Sequence, residues 1–191
     1  MATADVIAAV SATLEARLTA AMSTIGPPVP VVELHDLVAL PPSDPPTVTL
    51  FLYQIVEDPT TRNRPKTTRI VNGMARTLKQ PLGLSLQYMV TAWAGSRDTE
   101  QRMLGRVLQV LYDDAVLDGL ELAGVLAGTP ASLHISLSAI GLEDRSRVWT
   151  AIGRTYRLSI NYEVRIAFVD PETETTAAPV RVRDVRPGVV A

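Results

Sequence analysis

Two periods of hydrophobicity run along this chain, one near four residues and one of two. From Thr3 to Met22, Val6, Val10, Leu14 and Leu18 recur every four residues, with Ile7 widening the stripe and alanines between. That spacing predicts an amphipathic helix, which Gly26-Pro27-Pro28 ends. Seven prolines lie between positions 27 and 46, around a short apolar run from Val29 to Leu34. Proline cannot donate to a sheet ladder, so that run is an edge strand or an extended connector.

The period then drops to two. Thr47 to Val56 (TVTLFLYQIV) reads as a strand, followed by a charged, proline-punctuated loop, EDPTTRNRPKTTR. Leu82 to Trp93 reads as a second strand, with Leu82, Leu84, Leu86, Tyr88 and Val90 on one face and Ser85, Gln87 and Thr91 on the other. Helical spacing returns from Arg97 to Asp113, where Met103, Val107, Val110 and Leu111 face one way and Arg102, Arg106 and Gln109 the other. A third strand carries Leu133, Ile135 and Leu137 alternating with His134, Ser136 and Ser138. A short helix from Glu143 to Ile152 is closed by Gly153. The longest alternation runs from Tyr156 to Phe168.

These elements predict an α/β fold of the α+β type. Its sheet is mixed, largely antiparallel and four- to five-stranded, with helices packed on one face and Trp149 and Tyr156 in the core. The domain covers residues 1–169, and residues 170–191 form an extended C-terminal arm. Within that arm Val180, Arg181, Val182 and Arg183 alternate, followed by Asp184 and Val185. Such a segment suits addition as an extra strand to a sheet edge on a neighbouring protein, with a plain mobile terminus as the alternative.

Composition narrows the function. The length, 191 residues, suits one domain, and 47% hydrophobic against 20% charged residues supports a real core. A net charge of −2 gives no field that would gather nucleic acid or an anionic membrane, so neither is expected as a partner. The absence of cysteine excludes disulfides and thiolate metal sites. Asp5, Glu15 and Arg17 interrupt any export signal, and no stretch approaches the ~18 apolar residues of a membrane span, so a cytoplasmic location is expected. Arginine outnumbers lysine sixteen to two, the coding bias of a GC-rich bacterium.

Candidate chemistry is sparse. The two histidines are His35, beside Asp36 in the proline-rich connector, and His134, between serines on the polar face of the third strand. Neither stands in a motif that supplies a nucleophile, base and orienter. Asp113-Asp114 with Asp118 reads better as a solvated helix end than as a cation site, and no glycine-rich phosphate loop is present, so no metal or cofactor is expected. The basic loop residues Arg62, Asn63, Arg64 and Lys66 lack interleaved aromatics and are offset by Glu57 and Asp58, which favours a protein contact over nucleic acid.

Four segments together resemble a known family. They are LFLYQIVED followed by Arg62-Asn63; PLGLSLQYMVTAW at 81–93; Asp98 and Glu100 leading to Leu104-Gly105 and Gln109; and Glu143-Asp144 through Val148-Trp149 to YRLSINYEV at 156–164. In order and spacing these resemble the small terminator, or cap, proteins of phage-tail-like contractile injection systems, formerly a domain of unknown function. The resemblance covers about residues 1–169, with a polar Thr61 where an apolar residue is expected. It implies a structural protein, not an enzyme. Such a cap forms a sixfold ring at the baseplate-distal end, binds the last rings of the inner tube and the contractile sheath, and ends their growth. Two other readings stay open: a cytoplasmic hydrolase using His134 and a neighbouring serine, and a generic adaptor domain.

Overall fold

The computed structural model describes residues 4–61, 67–71, 74–78, 82–169 and 174–177. Among these residues three α-helices, α1 (Val6–Met22), α2 (Arg97–Asp113) and α3 (Leu142–Ala151), combine with nine strands. The strands are β1 (Val31–Leu34), β2 (Thr47–Glu57), β3 (Thr67–Val71), β4 (Met74–Leu78), β5 (Leu82–Trp93), β6 (Val116–Asp118), β7 (Ser132–Leu137), β8 (Ser159–Val169) and β9 (Glu174–Ala177). Six of them form one sheet in the order β1-β2-β5-β8-β7-β6. Only β1 and β2 run parallel, and every other pairing is antiparallel. The four strongly alternating segments therefore share a single sheet, and the proline-flanked run supplies its edge strand β1.

β5 is the centre of this sheet. It pairs with β2 from Thr47↔Trp93 to Glu57↔Leu84 and with β8 from Leu82↔Val169 to Thr91↔Ser159. Its even-numbered side chains, Leu84 to Ala92, meet Val48 and Leu50 of β2, Leu133 and Ile135 of β7, and Tyr162, Val164 and Ile166 of β8. Helix α1 lays Val6, Val10, Leu14, Leu18 and Met22 on this face, and α2 adds Met103, Val107 and Leu111. One polar contact crosses the layer: the Tyr88 hydroxyl and Ser11 Oγ are hydrogen-bonded at 2.8 Å. Burial pushes the Tyr88 phenol up to about 12, so it stays neutral there.

The opposite face of β5 is also covered, which the alternation did not predict. Met89 and Trp93 pack with Leu37 of the proline-rich connector and with Trp149 of α3. The helices therefore lie on both sides, with α1 and α2 on one face and the short α3 on the other. The reason is local. Met89 and Trp93 are large apolar side chains on the nominally polar face, and they need a second layer to leave water. The Trp149 indole stands edge-on to Trp93, with centroids 6.4 Å apart, and its N–H donates to Ser159 Oγ at 3.3 Å.

Three further expectations change. Tyr156 is 38% exposed rather than buried, because the ladder with β5 begins only at Ser159 and the chain before it has left the sheet. The segment read as one loop between β2 and β5 contains a hairpin, β3 and β4, paired from Thr67↔Leu78 to Val71↔Met74. The first part of the segment read as an extended arm contains β9, which pairs with β4 of the same chain from Ala75↔Ala177 to Leu78↔Glu174. These strands make a second, three-stranded sheet and bring the observed total above the four or five strands expected.

Trp149 ties α3 to the sheet through its ring and its N–H together. Replacing it with alanine should cost about 3–5 kcal/mol in chemical denaturation. Trp149→Phe, which keeps most of the ring packing, should recover more than half of that loss.

Candidate functional site

The sequence pointed to two partner-binding segments. Arg62, Asn63, Arg64 and Lys66 lie outside the described residues, as do Val180, Arg181, Val182, Arg183 and Val185. The approach to the basic loop is described and is tightly built. The Asp58 carboxylate accepts from the Thr60 N–H at 2.9 Å, and the buried Thr61 hydroxyl donates to the Asp58 carbonyl at 3.0 Å. This turn packs against β5: the Asp58 N–H donates to the Gly83 carbonyl at 2.9 Å, and a Cβ at Gly83 would overlap the Thr61 hydroxyl. The hydroxyl thus explains why a polar residue stands where an apolar one was expected. Thr61 closes the turn from which the loop departs.

The two histidines do different work. His35 Nδ1 accepts the Leu37 N–H at 2.8 Å, which holds the connector where Leu37 takes φ +60° and is buried. A left-handed leucine is strained, and packing against Trp149 holds it. His134 is exposed on β7, with Nε2 3.3 Å from Ser132 Oγ. The hydrogen bonds and ion pairs of the described residues give that imidazole no carboxylate orienter. A serine and histidine in this arrangement lack the third member of a nucleophilic triad.

The residues of three family-like segments converge on one ion-pair cluster instead. The Ser96 hydroxyl caps α2 by accepting the Thr99 N–H at 3.2 Å, and Asp98 and Glu100 fill the first turn, where the helix dipole favours anions. Glu100 is buried. Its carboxylate accepts from Arg97 at 2.7 Å, from the Ala94 N–H at 3.3 Å, and from Arg157. The Arg157 guanidinium also lies over the Trp93 ring, 4.3 Å from its centroid, while the Trp93 N–H donates to Thr49 Oγ1 at 3.0 Å. Burial works to raise the Glu100 pKa. The hydrogen bonds from Arg97, Ala94 and Arg157 outweigh it and hold the carboxyl below its usual value. The cluster pins the start of α2 to the end of β5 and to the chain entering β8, and so it is structural.

An exposed apolar groove was missed in the sequence. A groove of about 580 Å³ lies between the C-terminal half of α2 and the outer edge of β7, lined by Leu108, Tyr112, Ile135, Leu137 and Tyr162 among others. Tyr112 is 83% and Leu137 58% exposed. The signal was Leu108 and Tyr112, four residues apart and outside the buried stripe of α2. Among the described residues no group of three or more His, Asp or Glu side chains is placed to hold a metal ion. No described helix is long and apolar enough to cross a membrane.

The described residues thus form an α+β domain whose main sheet is covered on both faces, whose charged cluster is structural, and which exposes an apolar groove beside β7. The chain belongs to the Pvc16 N-terminal domain family, whose model matches residues 7–183. Its fold is that of the PVC sheath/tube terminator of an extracellular contractile injection system, in the extended state. Identity there is 22%, the TM-score is 0.65, and the match covers 100% of this chain and 66% of that one. It is also that of the tube-terminating cap of the anti-feeding prophage, at 20% identity and TM-score 0.61, covering 97% of this chain and 62% of that one. This chain thus spans slightly less than two thirds of each of those proteins. A comparison with curated proteins finds no match.

The Glu100 cluster sets an acid limit on stability. A carboxyl with a lowered folded pKa contributes stability above its ordinary value, and that contribution is lost as pH falls through the folded value. Glu163, lowered mainly by its hydrogen bond from Arg165, acts in the same direction. Glu100→Ala should cost about 2–3 kcal/mol at pH 7, because Arg157 and the Ala94 N–H lose their partner. In denaturation series at pH 7 and below 4.5, Glu100→Gln should show a smaller acid-induced loss than the parent.

Proposed function

We propose that this chain is a terminator of a contractile injection particle, seated at the end far from the baseplate on the last rings of tube and sheath. The observation that carries this is membership of the Pvc16 N-terminal domain family over residues 7–183, joined to the shared fold of a sheath/tube terminator and a tube-terminating cap. The physics of the role fits the molecule. Tube and sheath grow by head-to-tail contacts that do not close, so growth ends when a subunit offers one matching face and no second. Such a subunit needs shape and interfaces and no catalytic group.

In this reading six copies form a ring by contacts that close on themselves, matching the sixfold symmetry of the rings beneath. Assembly takes place in the cytoplasm, without nucleic acid or membrane. The basic segment Arg62, Asn63, Arg64 and Lys66, which follows the Asp58–Thr61 turn in the chain, supplies one contact to sheath or tube.

Deletion of the gene tests the assignment. Particles purified from the deletion strain should carry sheaths and tubes of irregular length, or should not survive purification. Particles of normal, uniform length would overturn it. Averaged images of the baseplate-distal end should show six copies of this chain, and three or twelve would contradict the ring.

A further inference from the structure

Among the described residues the β6 side of the six-stranded sheet is left partly open, and the opening coincides with the apolar groove. The outer strand β6 pairs with β7 only over Ser132 to His134, and the Ile135 N–H then donates to the Ala115 carbonyl at 2.8 Å. On the inner side the Ser138 N–H donates to the Asn161 carbonyl of β8 at 2.7 Å. Along an antiparallel ladder the main-chain groups alternate between sides, so Leu137 directs its N–H and C=O outward, beyond the end of β6. No described strand covers that stretch. Above it lies the groove formed by Leu108, Tyr112, Ile135, Leu137 and Tyr162. A strand laid beside β7 here would gain main-chain hydrogen bonds and seat every second side chain in an apolar slot.

We infer that this edge and groove take the C-terminal segment Val180–Val185 of a second copy of this chain, added as a strand beside β7. Three observations select that occupant. The segment alternates in the required way, with Val180 and Val182 on one side and Arg181 and Arg183 on the other. Its charge matches the rim at Asp113, since α2 has no basic residue in its last turn and presents its negative dipole end there, while the neighbouring Asp114 is already paired with Arg17 at 3.9 Å. Chain reach makes the donor another copy. β9 fixes Ala177 against Ala75, on the sheet reached from the Leu82/Val169 end of the main sheet. Three residue steps from Ala177 to Val180 span roughly 10 Å of extended chain. The groove lies beside Tyr162, seven residues back along β8 from Val169, roughly 23 Å of strand. An arm donated in one direction around a set of copies is a heterologous contact, able to close into a ring.

The cysteine-free sequence makes the test direct. Full-length Leu137→Cys and Val182→Cys chains are mixed at high concentration and oxidised with a mild thiol oxidant. A disulfide forms only where the two Cβ atoms approach within about 4 Å. The mixture should yield the Leu137→Cys/Val182→Cys dimer in at least tenfold excess over either like-with-like dimer. The double variant should give intermolecular species extending to closed oligomers. Monomers only, equal yields of all dimers, or a disulfide within a single chain of the double variant would each overturn the inference. A Leu40→Cys chain, placing an equally exposed cysteine in the proline-rich connector, should fail to pair with Val182→Cys, and efficient pairing there would also overturn it. The isolated chains contain neither sheath nor tube, so loss of the crosslink would remove the arm and leave the terminator assignment to its own test.

Discussion

Burial of β5 on both faces is the constraint from which the rest of the architecture follows. A strand with Leu84, Leu86, Tyr88 and Val90 on one side and Met89 and Trp93 on the other cannot satisfy its side chains against a single layer. It therefore takes partners on both edges, β2 and β8, and cover on both faces. The long helices α1 and α2 supply one cover. The second comes from short pieces, α3 and the turn at Leu37, which are held because the strand beneath gives them something large to pack on.

This division explains what could be read in the sequence. Elements with a clean period were legible: α1, α2, α3 and the strands β2, β5, β7 and β8 fall within a residue or a few of their expected bounds. Membership of one sheet was legible too, because each strand carries an apolar face of similar length. The second layer was harder to see. Met89 and Trp93 break the polar side of β5 only twice, and one aromatic on a polar face carries no direction. Tyr156 shows the opposite failure, where alternation in sequence runs on past the point at which the ladder ends. The hairpin of β3 and β4 was hidden by its charged and proline-containing approach, and β9 by its threonines, which read as flexible without the strand they pair with.

The functional surfaces were less legible than the fold, for a physical reason. Catalytic groups announce themselves by residue type, whereas an assembly surface is made of ordinary apolar side chains left uncovered. Leu108 and Tyr112 look like core residues until the stripe of α2 is drawn. The family-like segments, by contrast, were conspicuous because they build the frame: Trp93, Glu100, Trp149 and Arg157 meet in one cluster that joins three elements. Resemblance in those segments therefore reports chiefly the scaffold.

The meeting of Trp93 and Trp149 has an optical consequence. They are the chain's two tryptophans, so all of its indole emission arises from one spot on the α3 side of the sheet. One ring is edge-on to the other and a guanidinium covers Trp93, a geometry that shifts emission when any of the three parts moves. Light from this protein therefore reports the docking of its smallest helix and the Arg157–Glu100 link to the start of α2, and is silent about α1. A binding partner that disturbs the α3 face will change the emission spectrum, and one that engages only α1 will not.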